Sequence, residues 1–133
     1  MEYTTLGETG MMVSQICLGC MSFGSGREWM LDRDESEELI ERALELGVNF
    51  FDTANIYSNG ESEEILGDIL AEYDRDEQVV ATKVWGQMRE EDPNSQGLSR
   101  KTILAHTSSS AQRRAARLIR ISRICPTSRV AAK

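Results

Sequence analysis

Asp52, Tyr57 and Lys83 are the residues of this chain whose types and spacing carry chemistry. A phenol titrates at about pH 10 and is a poor acid or base at neutrality. An ammonium beside it favours the phenolate, and a carboxylate beside the ammonium keeps the lysine charged in a partly dry site. Such a trio suits protonation of a carbonyl oxygen during reduction. The same residues have a plainer structural reading, in which Asp52 caps a strand end, Tyr57 packs in a turn and Lys83 lays its methylenes along apolar neighbours. Spacing alone leaves both readings open.

The elements around the trio decide whether it can converge. Tyr3 to Leu6 and Met12 to Ser14 are β-prone runs joined by Gly7-Glu8-Thr9-Gly10, which predicts an opening hairpin. Gln15 to Met21 reads as a buried strand, followed by a flexible loop over Ser22-Phe23-Gly24-Ser25-Gly26. Asp34 and Glu37 have the spacing of a capping box, and Leu39, Ile40, Ala43 and Leu44 form an inward helical stripe that stops at Gly47. Val48 to Phe51 returns to strand composition. Ser62 to Tyr73 predicts a second helix with Ile65, Leu66, Ile69 and Leu70 inward, and Gln78 to Val84 predicts a third strand. Ser99 is the expected N-cap of a third helix beginning at Arg100. The order β-α-β-α-β implies an α/β fold with a parallel sheet and right-handed crossovers. Functional groups collect at the C-terminal ends of such strands, where Asp52, Tyr57 and Lys83 fall, with Asn55, Ser58, Asn59 and Gly60 in the same turn.

A length of 133 residues allows one domain, and hydrophobic and charged contents of 40% and 28% are those of an ordinary globular chain. The longest apolar runs are far below the roughly 20 residues that span a membrane. Met1 to Thr9 carries acids and no base, unlike a secretory signal, so the expectation is a soluble cytoplasmic protein. Three cysteines, Cys17, Cys20 and Cys125, fit no disulfide framework. Cys17 and Cys20 lack a second ligand pair for zinc and read as small buried apolar residues. Gly19 to Gly26 lacks the Lys-Ser/Thr of a P-loop, and Gly24 to Trp29 ends in Trp where a dinucleotide fingerprint needs Gly or Ala.

Charge divides the chain. All 22 acids lie in residues 1–92 against 6 bases, a net of −16, whereas residues 93–133 hold 9 bases and no acid. An excess of acid on that scale suggests a protein adapted to a high-salt cytoplasm, where self-repulsion is screened.

The stretch Gly47-Val48-Asn49-Phe50-Phe51-Asp52-Thr53-Ala54-Asn55-Ile56-Tyr57, continuing as Ser58-Asn59-Gly60-Glu61-Ser62-Glu63-Glu64-Ile65-Leu66-Gly67, resembles the signature of the aldo-keto reductase family. Leu6-Gly7, Val13-Ser14, Leu18 to Gly24, Ala81 to Val84 and Gly97 to Lys101 also resemble that family in order and spacing, so residues 1–105 are covered. The resemblance implies a (β/α)8 TIM barrel, here truncated to the hairpin and about three β/α units. It implies an NADPH-dependent reductase of small-molecule aldehydes and ketones, with no nucleic-acid or membrane partner. Tyr57 would be the proton donor, Lys83 would lower the pKa of that phenol and Asp52 would support Lys83, with Met21 and Asp52 against the cofactor. The family's fourth catalytic residue, a histidine at the end of strand four, has no counterpart. His106 lies in the third helix and is expected to be exposed. No metal site is expected.

The alternatives within reach are a non-catalytic relative that senses nucleotide or docks a partner, as potassium-channel β subunits of the same family do, and a binding module built on the basic tail. In residues 106–133, Arg113, Arg114, Arg117 and Arg120 recur at helical spacing, as on a nucleic-acid or membrane-surface helix. That tail also has the composition a reading-frame change would produce. With three of eight strands, an open edge at the third strand and uncovered barrel-side residues such as Val80 and Val84, the chain as written is expected to be an inactive fragment.

Overall fold

The computed structural model describes residues 1–112; the basic tail from Arg113 onward, with the alternatives it raised, lies outside the described residues. Strands β1 (Tyr3–Thr5) and β2 (Met12–Ser14) form the expected antiparallel hairpin, Tyr3 opposite Ser14 and Thr5 opposite Met12. Its turn passes through Gly7 and Gly10 at φ of +57° and +75°, which only glycine adopts at no steric cost. The hairpin is tied to the chain entering the second parallel strand. Ser14 N donates to Asn49 Oδ1 at 2.7 Å, Asn49 Nδ2 donates to the Met12 carbonyl at 3.2 Å, and the Tyr3 hydroxyl donates to the Gly47 carbonyl at 2.8 Å.

Strands β3 (Leu18–Gly19), β4 (Phe50–Asp52) and β5 (Val79–Ala81) form a parallel sheet in that order. Leu18, Phe51 and Val80 stand in register and turn to one face; Gly19, Asp52 and Ala81 follow on the other. The first face is covered by helices α1 (Arg33–Glu45) and α2 (Glu61–Leu70), which enclose Phe23, Ile40, Phe51, Leu66 and Ile69, each no more than 1% exposed. Burying each such side chain stabilises the fold by about 1.5–3 kcal/mol. Helix α3 (Arg100–Gln112) follows a long loop, capped at Ser99, whose Oγ accepts from Thr102 N at 3.1 Å. Among the described residues no helix is long and apolar enough to cross a membrane.

Several expectations are corrected. The capping box is Asp32 and Glu35, not Asp34 and Glu37: Asp32 keeps extended backbone and accepts from Glu35 N at 3.0 Å, while Glu35 Oε2 accepts from Asp32 N at 3.1 Å. Glu37 instead pairs with Arg33 at 3.0 Å, one turn back. Leu39 faces water, since the apolar stripe is centred on Ile40 and Ala43. The first parallel strand is two residues long, and Gln15, Ile16 and Cys17 are exposed, because β3 is the sheet's edge and nothing described covers its second face. Val80, expected on the uncovered face, is 2% exposed: its register with Phe51 turns it toward the helices. Val84 lies beyond β5 and is half-buried. The loop after β3 is pinned, with Phe23 fully buried and Ser25 donating from both N and Oγ to Glu61 Oε2 at 2.8 Å.

Candidate active site

Parallel pairing continues past the ends of β4 and β5: Thr53 N donates to the Ala81 carbonyl at 2.9 Å and Asn55 N to the Lys83 carbonyl at 3.3 Å. This extension sets Lys83 beside Asp52 although neither lies deep in a strand. Tyr57 is then brought back by a turn of unusual backbone. Ser58, Asn59 and Gly60 all have positive φ (46°, 53° and 103°), and Gly60 stands at the N-terminus of α2. Holding non-glycine residues there costs on the order of 1–3 kcal/mol each. The turn is held by Ser58 Oγ donating to the Phe23 carbonyl at 2.9 Å. Gly24 permits that contact, since a Cβ there would lie 2.4 Å from Ser58 Oγ.

The three predicted residues meet at one ammonium. Lys83 Nζ donates to Asp52 Oδ1 in a short charge-assisted bond, to the Thr53 carbonyl at 3.0 Å and to the Tyr57 hydroxyl at 3.1 Å. An ammonium has three N–H donors, and each has a partner, so the head group is fixed in direction as well as position. It also lies 4.9 Å from the centre of the Tyr57 ring. Partial burial, the largest influence, works to lower the lysine pKa. The bonds to Asp52 and Tyr57 outweigh it together and hold the group above its ordinary value.

Cys17 is close enough to feel this centre. Burial of its sulfur first, and the Asp52 carboxylate second, push the thiol up to about 11, while Lys83 pulls the other way. Cys17 was expected to be buried and is exposed; Cys20 is buried, and its thiol is pushed up to about 12, by burial first. Met21, 55% exposed, lines an open cleft of about 590 Å³ with Tyr57, Arg27, Trp29 and Ile56. Arg27 stacks on Trp29 at 5.9 Å.

Sequence reasoning missed the layer behind the trio. His106, expected to be exposed, is 7% exposed, and its Nδ1 lies 2.9 Å from Asn55 Nδ2. It does not join Asp52, Tyr57 and Lys83; it steadies Asn55, whose backbone is paired with Lys83. Asn55 Oδ1 is buried without a hydrogen-bond partner among the described residues. Thr53 Oγ1 and Ser62 Oγ lie 2.9 Å apart, and Ser62 Oγ also donates to the Cys20 carbonyl at 2.7 Å, tying all three chain segments below the site. Glu63, fully buried, accepts from Thr82 Oγ1 at 2.6 Å and Ser110 Oγ at 3.1 Å. The available signal was the run of polar residues, Thr53, Asn55, Ser62 and Glu63, flanking an otherwise apolar strand and helix.

A model of the aldo/keto reductase family matches residues 15–116. The chain is 39% identical to versiconal hemiacetal acetate reductase of Aspergillus parasiticus over 85% of its own length and 39% of that protein's. It is 41% identical to a probable voltage-gated potassium channel subunit beta of Oryza sativa, over 78% of its length and 31% of that protein's. Among solved structures, a holo aldo-keto reductase from Bacillus halodurans superposes with a TM-score of 0.70 at 27% identity, covering 86% of this chain and 36% of that one. A thermostable aldo-keto reductase in complex with the inhibitor epalrestat gives 0.68 at 26% identity, covering 85% and 38%. The chain thus spans less than two fifths of the length of these relatives.

Proposed function

Because the chain belongs to the aldo/keto reductase family, we propose that it carries the proton-delivering part of an NADPH-linked reductase of small-molecule aldehydes and ketones, with Tyr57 as proton donor. The observation that supports this most is the single ammonium of Lys83 bonded to both the Asp52 carboxylate and the Tyr57 hydroxyl. A reduced nicotinamide, when bound, supplies the hydride that reaches the carbonyl carbon. The residues of this chain handle the oxygen. The Tyr57 hydroxyl gives its proton as negative charge develops on the substrate oxygen, and the ammonium at 3.1 Å stabilises the charge left on the phenol. Asp52 keeps the lysine charged and aimed, as does the Thr53 carbonyl.

Among the described residues, those at this mouth suit the nicotinamide end of the cofactor. Met21 offers exposed apolar surface beside Tyr57, and Asp52 lies at the same sheet end. The basic groups described at this mouth are Lys83, whose donors are all engaged, and Arg27, which stacks on Trp29. Phosphate binding then falls to segments beyond the described residues, among which β3 and β5 are the edges of the parallel sheet.

The test is a full-length family barrel in which residues 1–105 of this chain replace the corresponding segment. It should reduce aldehydes with NADPH, and Tyr57→Phe should lower kcat by about 10²–10⁴ while cofactor affinity holds. An unchanged kcat in Tyr57→Phe would overturn the assignment. The similarity to a channel β subunit supports a second reading, a nucleotide sensor that docks a partner; nucleotide binding by the chimaera without carbonyl turnover would favour it.

A further inference from the structure

The cleft beside Tyr57 carries one group that proton delivery does not use. Residues 1–92 hold 22 acids against 6 bases, so a base without an anionic or carbonyl partner is the exception there. Arg33, Arg42, Lys83 and Arg89 each pair with a carboxylate, and Arg75 donates to the Gln78 carbonyl. Arg27 is the sixth, and its guanidinium makes no ion pair and no hydrogen bond among the described residues. It lies over the Trp29 ring, 5.9 Å from the centroid, and lines the open cleft of about 590 Å³ that also holds Tyr57. The carboxylate in that lining is Glu61, whose Oε2 accepts from Ser25 N and Oγ, both at 2.8 Å. Neither Glu61 nor Glu28, the next residue along from Arg27, pairs with the guanidinium among the described residues.

The loop that carries Arg27 is built. Phe23 and Leu31 form a β-bridge, Gly24 N donates to the Leu31 carbonyl at 2.9 Å, Leu31 N to the Ser22 carbonyl at 2.8 Å and Met30 N to the Arg27 carbonyl at 3.0 Å. The indole occupies the face of the guanidinium and leaves its edge, where the N–H donors point. That edge is a planar fork, which fits one carboxylate through two parallel hydrogen bonds. A dinucleotide's pyrophosphate is instead cradled by several backbone N–H donors at once, and those of Gly24, Ser25, Met30 and Leu31 are already engaged. Between Arg27 and the trio the cleft offers apolar surface, with Met21, Trp29 and Ile56 at 55%, 49% and 44% exposure. A cation with unused donors, apolar walls and a proton donor in one cleft match a carbonyl compound whose far end is anionic.

We propose that Arg27 selects carbonyl substrates that carry a carboxylate, holding that group bidentately while the carbonyl oxygen meets the Tyr57 hydroxyl in the same cleft. The methylenes between the two ends lie against Met21, Ile56 and Trp29. The carbonyl end rests on the reductase reading above, whereas carboxylate binding stands or falls without turnover.

Two measurements test it. In the full chain, hexanoate should shift the Trp29 indole N–H resonance, assigned with Trp85→Phe, at about five- to twentyfold lower concentration than hexanamide, and Arg27→Met should abolish that difference. Arg33→Met removes the same charge from α1 and should change the difference less than about twofold. In the barrel chimaera, linear oxo acids should exceed their methyl esters in kcat/KM by a similar factor, most at one chain length because Tyr57 and Arg27 fix both ends. Arg27→Met should bring the acid-to-ester ratio to about one. Equal shifts by hexanoate and hexanamide, a preference that survives Arg27→Met or ignores chain length, or a loss in that variant that falls on NADPH affinity instead of the ratio would each overturn the proposal. Reduction of the esters with no preference for the acids would overturn it and leave the reductase reading intact. Hexanoate binding through Arg27 without turnover of any carbonyl would support the carboxylate site and refute the reductase reading.

Discussion

Cys17 provides a chemical readout of the Asp52–Lys83 pair that needs no turnover. The residue is exposed, but partial burial of its sulfur, with Asp52, pushes the thiol from 9.0 to about 11, so at about pH 8 it holds about one hundredth of the thiolate of an ordinary cysteine. The more basic thiolate is also more nucleophilic, with a Brønsted coefficient of about 0.4–0.5, which returns about six- to tenfold. Cys17 should therefore exchange with an aromatic disulfide reagent about ten times more slowly than a cysteine in an unstructured peptide. The measurement is made in a Cys125→Ser background, with Cys20 slower still because it is buried and its thiol is pushed up to about 12. Asp52→Asn removes a charge that raises the thiol pKa, whereas Lys83→Met removes one that lowers it. The first should speed exchange and the second slow it, each about two- to threefold, since burial remains the main cause. Exchange at the peptide rate, or a change of the same sign in both variants, would refute the electrostatic account of this centre.

Lys83→Met should also alter stability with a definite pH signature. The lysine is held above its ordinary value of 10.5, so its contribution is fully present below that pH and fades only as pH rises through the folded value. Chemical unfolding of wild type and variant should differ by about 1 kcal/mol or less at neutrality, because both partners are over a third exposed, and the gap should close only in strong alkali. Phe51→Ala, at a site with no exposure, should cost about 3–5 kcal/mol, enough to abolish a cooperative thermal transition. Gly24→Ala should destabilise the chain and broaden the Tyr57 ring resonances, since its Cβ would meet Ser58 Oγ at 2.4 Å and φ is +121°. With −16 over residues 1–92, thermal midpoints should rise from millimolar to molar salt; equal midpoints would remove the high-salt reading.

The trio was legible because its signals are local: Asp52 ends an apolar run, Tyr57 sits in a turn-rich stretch, and Lys83 follows Val79 and Val80. Helical periodicity likewise gave Ile65, Leu66, Ile69 and Leu70 as buried. What escaped depends on distant partners. A buried His106 requires Asn55, 51 positions away, to take its ring nitrogen, and no period in the sequence reports that pairing. The capping box was displaced by two residues because Asp32, Asp34, Glu35 and Glu37 supply several equivalent spacings, and only the backbone at Asp32 decides among them. Val80 went to the wrong face because a strand of alternating register flips every side chain with a shift of one residue.

Helix α3 differs from α1 and α2 in what fastens it. Among the described residues, the apolar cluster formed around Phe51 and Leu66 includes no residue of α3. Hydrogen bonds among the described residues tie the helix to the body: His106 to Asn55, Ser110 to Glu63, and Thr102 Oγ1 to the Asn94 carbonyl at 3.1 Å. Separation along such a seam exposes little oily surface, so it costs mainly the exchange of internal hydrogen bonds for bonds to water. The hairpin-to-α2 body and α3 then form two cooperative units of unequal strength, with the weaker one opening first. Because Asn55 and Glu63 sit just behind the Lys83 centre, each opening of that seam would wet the back of the site while its front stays assembled.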